Sequence, residues 1–180
     1  MYSEQNALCL YSNNHLQASH AQQLLEVPEY RTILAPYFIS FSKELSDWYK
    51  ESYQSNPSHP SNLTHKSCSG NYVRSKSESI IDSLLYINKL PFRYECALKL
   101  GDVLIYPDFT IRHPVTGEFY YWEHFGLMDN PTYIQNACSK IQLYSVNGIV
   151  PSVNLITTFE TKDYPLSHDK VQRIIEEYFL

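Results

Sequence analysis

The chain has 180 residues, 43% of them hydrophobic and 18% charged, with a net charge of −5. That length suits one domain with a core of its own and a small extension, and the acidic balance excludes a global basic field that would draw in nucleic acid. No stretch approaches the roughly 20 apolar residues needed to cross a bilayer, and MYSEQNALCLYSNN has neither the basic nor the apolar region of a secretory signal.

Cys9, Cys68, Cys96 and Cys138 are scattered without a CxxC pair, and four free thiols in a reduced cytoplasmic compartment are the simplest reading. His65 and Cys68 have HxxC spacing but lack the second ligand pair of a structural zinc site. Residues 1–54 read as a helical N-terminal extension. They contain HLQASHAQQLLEV and then FISFSKELSDWYKESY, where Phe38, Phe41, Leu45, Trp48 and Tyr49 recur at helical spacing. Residues 55–71, SNPSHPSNLTHKSCSGN, are rich in Ser, Asn, Pro and His and predict a linker or mobile loop.

From residue 72 to 180 the pattern is that of an α/β domain. RSKSESIIDSLLYINK (74–89) predicts a helix with Ile80, Ile81, Leu84 and Leu85 on its buried stripe. FRYECALKL (92–100), DVLIYPDFTIR (102–112) and EFYYWEHF (118–125) read as three strands, the last two joined by the hairpin turn His113–Gly117. NPTYIQNACSKIQLYSVNG (130–148) predicts a helix with Pro131 in its first turn and Gly148 at its C-terminus. VNLITTFE (153–160) is a fourth strand, and SHDKVQRIIEEYF (167–179) a closing helix with Ser167 as N-cap. A three-strand meander followed by a helical crossover to a fourth strand implies a mixed sheet with helices on its faces.

Asp108 and Glu123 stand out within this pattern. Each lies on a strand among aromatic residues, where an unpartnered carboxylate is unfavourable and a bound cation would offset that penalty. Pro107 cannot donate to a ladder, so the strand should bend just before Asp108 and aim its side chain. Glu78 has two readings. Ser75-Lys76-Ser77-Glu78 is a capping box, yet Glu78 also shares a helix face with Ile81 and Leu85. Lys140 lies in the stripe Tyr133, Ala137, Lys140, Tyr144, which suggests that it points inward over the sheet. The competing reading is a snorkelling lysine.

The element order, together with VRSKSE (73–78), PFRYE (91–95), YPDFTI (106–111), YYWEHFG (120–126) and NLITTFET (154–161), resembles the PD-(D/E)XK, or restriction-endonuclease-like, nuclease superfamily. The resemblance runs from residue 72 to about 165. It implies a three-layer αβββαβ core with a mixed four-stranded sheet, and metal-dependent hydrolysis of nucleic-acid phosphodiesters, with DNA as the first candidate. Carried over by position, it makes Asp108 and Glu123 the ligands of Mg²⁺ (or Mn²⁺) and Glu78 a supporting acid. The superfamily's lysine should stand two residues after Glu123, where this chain has Phe125; Lys140 is the candidate for a lysine supplied by the neighbouring helix. His124 should face away from the site, and Glu95 and Glu160 are peripheral candidates. Arg74 and Lys76, with Lys66, are candidate contacts to the nucleic-acid backbone, set against an ordinary solvated face. The alternatives are a catalytically inactive nuclease-fold module that binds nucleic acid or a protein, and an assembly role for the N-terminal helices.

Overall fold

A computed structural model describes residues 43–180. Its element order is α1 (Lys43–Lys50), β1 (His65–Lys66), β2 (Tyr72–Val73), α2 (Lys76–Ile87), β3 (Phe92–Tyr94), β4 (Leu98–Leu100), β5 (Val103–Ile105), β6 (Phe109–Arg112), β7 (Phe119–Phe125), α3 (Pro131–Val146), β8 (Leu155–Phe159) and α4 (His168–Phe179). The expected helix HLQASHAQQLLEV, and the start of the one at 38, lie outside the described residues.

The central sheet has the order β3-β6-β7-β8. β3 and β7 each run antiparallel to β6, whereas β8 runs parallel to β7. A parallel neighbour needs a crossover rather than a turn, and α3 supplies it. The alternation of side chains sorts the sheet into two faces. Phe92, Tyr94, Phe109, Ile111, Trp122 and Ile156 pack with Ile81 and Leu85 of α2 and with Val171 and Ile175 of α4. On the opposite face Tyr121 and Leu155 pack with Tyr144 of α3. Helices therefore cover both faces, as the sequence pattern implied.

Two of the expected strands are each broken into two. The run 92–100 turns at Glu95, which adopts a left-handed φ of 44°, a conformation that non-glycine residues rarely take. The run 102–112 breaks over residues 106–108, where Pro107 cannot donate to a ladder. The freed pieces, β4 and β5, pair with each other as a separate hairpin. Asp108 thus sits at the start of β6 and not within a continuous strand.

Residues 55–71 are not a free linker. Asn56 N donates to Glu95 O and Ala97 N to Gln54 O, and β1 pairs with β2. Ser, Asn and backbone groups satisfy one another here, which composition alone does not reveal. Cys96 and Cys138 are free thiols, but Cys68 is disulfide-bonded, which corrects the expectation of four free thiols. Disulfide pairing follows spatial approach, and cysteine spacing does not report it. Among the described residues no helix is long and apolar enough to cross a membrane.

Ile81 has no exposed surface and joins α2 to the sheet. Ile81→Ala should lower stability by about 3 kcal/mol, as large-to-small core substitutions do. Urea denaturation checks this, and a loss below about 1 kcal/mol would mean that the α2 face is not a packed core.

Candidate active site

Asp108, Glu123 and Lys140 meet in a cavity of about 220 Å³ between the start of β6, β7 and α3, walled by Phe125, Tyr133 and Asn136. Each is delivered by a local feature of the sequence. β6 pairs with β7 no further than Phe109 with Trp122, so the next outward-facing amide of β7, at His124, has no strand partner. Asp108 Oδ2 takes that place and accepts the His124 N–H at 2.7 Å. The break at Pro107 thereby puts a carboxylate where a ladder carbonyl would have stood.

Glu123 is 2% exposed and lies on the face that α3 covers. α3 starts where Pro131 follows Asn130, whose side chain accepts the N–H groups of Thr132 and Tyr133. It ends in a Schellman turn: Ile149 N donates to Tyr144 O and Gly148 N to Ser145 O, with Gly148 at φ 81°, the left-handed position that favours glycine. Between these caps the stripe Tyr133–Ala137–Lys140–Tyr144 faces the sheet. Lys140 Nζ donates to Glu123 Oε2 at 2.7 Å and to Tyr106 O at 3.4 Å. Tyr144 OH donates to Glu123 Oε1 at 2.5 Å.

The electrostatics follow from enclosure. Burial, and then repulsion from Glu123, push the Asp108 carboxyl well above the usual carboxylate range, against the opposing pull of Lys140. Burial also raises Glu123, with Lys140 and Tyr144 offsetting part of the effect. For Lys140, burial alone would lower the ammonium, but attraction to Glu123 and Asp108 outweighs it and keeps the group charged. Burial first, and then the Glu123 charge, push the Tyr144 hydroxyl far up. Tyr144 is therefore a hydrogen-bond donor and not a proton source.

Glu78 does not line the cavity. Its Oε2 accepts Tyr94 OH at 2.6 Å and Arg74 N at 3.0 Å, its Oε1 accepts Ser75 OH at 3.0 Å, and its N–H donates to Ser75 Oγ at 3.1 Å. The Ser75 cap is made, but the carboxylate reaches back to the N–H of Arg74 and the hydroxyl of Ser75 and not to the Ser75 N–H of a full capping box; its charge also acts on Asp108 and Glu123. Arg74 is committed to the protein itself. Its guanidinium forms a bidentate pair with Glu95, at 2.8 and 2.9 Å, and donates to the carbonyls of Ser58 and His59. Lys76 and Lys66 are exposed. The His124 side chain lies on the far side of the sheet, near Thr158 and Glu160. Phe125 is buried, stacks on Phe159 with centroids 5.5 Å apart, and meets Tyr133 edge-on. The position two residues after Glu123 is thus part of an apolar wall.

Tyr144, Tyr94 and the Arg74–Glu95 pair were not assigned roles from the sequence. Tyr144 already belonged to the inward stripe, and a buried tyrosine must find a partner for its hydroxyl, which was the available signal. The Glu95 contact depends on a left-handed turn that no local pattern announced.

The donor set fits a hard divalent cation. Among the described residues no group of three or more His, Cys, Asp or Glu side chains is arranged around a metal. Mg²⁺ however is commonly held by one or two carboxylates, with water and phosphate oxygens completing its shell. Asp108 Oδ1 accepts no hydrogen bond from the described residues, and the mutual repulsion of the two acids is what a cation would relieve. Set against protein-family models, curated proteins and solved structures, the chain finds no match.

The charge on Asp108 carries a measurable consequence. Its folded pKa lies above the unfolded value of about 3.9, so the folded state holds a proton that the unfolded chain has released. Ionised Asp108 therefore works against folding: the penalty is full above the folded pKa, shrinks as pH falls from there towards the unfolded value, and is gone below it. Asp108→Asn keeps an acceptor for the His124 amide without the charge. It should raise metal-free stability at pH 7.5 by about 1 kcal/mol, with the gain shrinking on acidification. Urea titrations across pH check the sign; an Asp108→Asn protein less stable at pH 7.5 would contradict the assigned repulsion.

Proposed function

We propose that this chain is a metal-dependent nuclease with a restriction-endonuclease-like core, hydrolysing phosphodiester bonds of nucleic acid at Asp108, Glu123 and Lys140. The observation that carries the reading is the placement of Lys140 Nζ, 2.7 Å from Glu123 and in the cavity that Asp108 lines. A lysine from α3 there supplies the cation whose usual place is filled by Phe125.

Asp108 and Glu123 would hold Mg²⁺ or Mn²⁺. When bound, such an ion lowers the pKa of a coordinated water and neutralises charge on the phosphate. Lys140, kept protonated by the two acids, presents N–H donors to a phosphoryl oxygen or to the attacking water, a preorganised contribution to the transition state. Tyr144 and Tyr106 hold the Glu123–Lys140 pair in place, and Phe125 and Tyr133 exclude bulk water from one wall. With Arg74 engaged by Glu95, Lys76 and Lys66 remain as the candidate contacts to the backbone of the nucleic acid.

Purified protein should cut nucleic acid only with Mg²⁺ or Mn²⁺. Asp108→Ala should abolish cleavage, and Lys140→Ala should lower kcat about 10²- to 10³-fold, the loss typical of one transition-state donor. Cleavage that survives chelator, or that is insensitive to Lys140→Ala, would sink this assignment. A second reading is favoured by one observation: both oxygens of Glu123 are satisfied without a metal. On that reading the fold is a non-catalytic binding module, and its binding of nucleic acid or protein would be indifferent to chelator and to Lys140→Ala. The assembly role concerns residues that lie mostly outside those described.

A further inference from the structure

The His124 side chain belongs to none of the roles above, yet it is enclosed on the face of the sheet opposite the acids, with 2% of its side-chain surface exposed. Its Nδ1 stands 3.0 Å from Thr158 Oγ1, the residue beside it in the parallel β7–β8 register. Thr158 Oγ1 also accepts the indole N–H of Trp122 at 3.0 Å. The His124 Nε2 approaches Glu160 Oε1 at 3.4 Å without forming a hydrogen bond, a length beyond the usual N–H···O range. Glu160 is itself fixed, accepting Ser77 OH at 2.7 Å from α2 and Leu166 N at 3.0 Å from the approach to α4.

Donor and acceptor rules assign the direction of this chain. The Trp122 N–H donates to Thr158 Oγ1, which leaves the Thr158 hydroxyl hydrogen available to Nδ1, and the nearby Glu160 carboxylate favours a proton on Nε2. The imidazole of β7 is thus bonded to β8 through Thr158 and lies beside a carboxylate that α2 and the segment before α4 hold in place. The backbone of the same residue donates the N–H that Asp108 accepts at 2.7 Å, beyond the last β6–β7 pair, where no ladder holds β7 in register with β6. There β7 is held on its other edge by the β8 ladder, which continues through Phe125, and by the contacts of the His124 side chain.

We propose that His124 is a positioning residue: held on one face of the sheet by Thr158, with the Glu160 carboxylate beside it, its side chain works with the β8 ladder to fix the backbone amide that orients Asp108. This rests on the reading of Asp108 as a metal ligand, and it adds that the quality of that ligand is set from the opposite side of the sheet. A packing-only histidine would influence stability and leave Asp108 unchanged.

The test uses the full chain and two readouts, Mn²⁺ affinity by calorimetry and the ¹³C carboxyl resonance of Asp108 in metal-free protein. His124→Leu should weaken Mn²⁺ binding about tenfold, in the range known for lost supporting contacts to a ligand, and should displace the Asp108 resonance. His124→Asn, which keeps an acceptor where Nδ1 stood, should restore both most of the way. Val171→Ala, in the core beneath α4, should lower the melting temperature and move neither readout. Thr158→Val serves if His124→Leu does not fold, and is expected to shift both readouts in the same direction. The proposal is overturned if His124→Leu or Thr158→Val leaves both readouts unchanged, or if Val171→Ala shifts them equally. Should the wild-type protein hold no Mn²⁺, the metal reading fails by itself, and the Asp108 resonance alone decides whether His124 positions it.

Discussion

Glu123 is stabilised where it sits by Lys140 and Tyr144. A carboxylate with 2% exposure is tolerated in a sheet interior only when it is paired and hydrogen-bonded, and here its two oxygens are matched by one ammonium and one phenol from the same helix. That requirement fixes the register of α3 on the sheet. A helix rotated by one residue would turn Lys140 and Tyr144 away together and leave the acid stranded. The crossover from β7 to β8, the Schellman turn that ends α3 and the apolar wall at Phe125 all serve the same placement.

Asp108 is governed by a different constraint. It stands at the end of a ladder and completes the hydrogen bonding of β7 with its side chain, so its carboxyl serves structure and site at once. The two acids repel each other, with Glu123 buried and Asp108 half-buried, which is an unfavourable arrangement for a protein selected for stability alone. Strain of this kind gathers at sites that bind or react, and it is the physical reason to read the cavity as functional. The neighbouring Arg74–Glu95 pair shows the contrasting case, a cation whose donors are spent on holding residues 56–59 against the domain.

Much of this was legible in the sequence because it rested on periodicity. The 3.6-residue stripe of α3 announced that Lys140 points inward, and the strand alternation put Glu123 and His124 on opposite faces. Pro107 announced the interruption before Asp108. Other parts were hidden because they depend on conformations without a local signature. The left-handed turn at Glu95 splits the expected strand 92–100 into two and brings Arg74 to Glu95, which withdraws it from the set of free cations. The tie between residues 55–71 and the domain runs through Ser and Asn side chains and backbone groups, whose composition looks the same in a free loop. Glu78 shows a third situation, in which a capping residue and an electrostatic neighbour of the site are the same side chain.

The central claim is that Asp108 and Glu123 share a divalent cation beside Lys140. Anomalous diffraction from crystals soaked in Mn²⁺ tests it directly. A single anomalous peak within about 2.3 Å of oxygens from both carboxylates, the reach expected for a hard divalent ion, with Lys140 still alongside, is the result this account requires. Crystals that show no peak there while the Lys140–Glu123–Tyr144 contacts stay closed would contradict it, and would leave the cavity as a self-satisfied buried network.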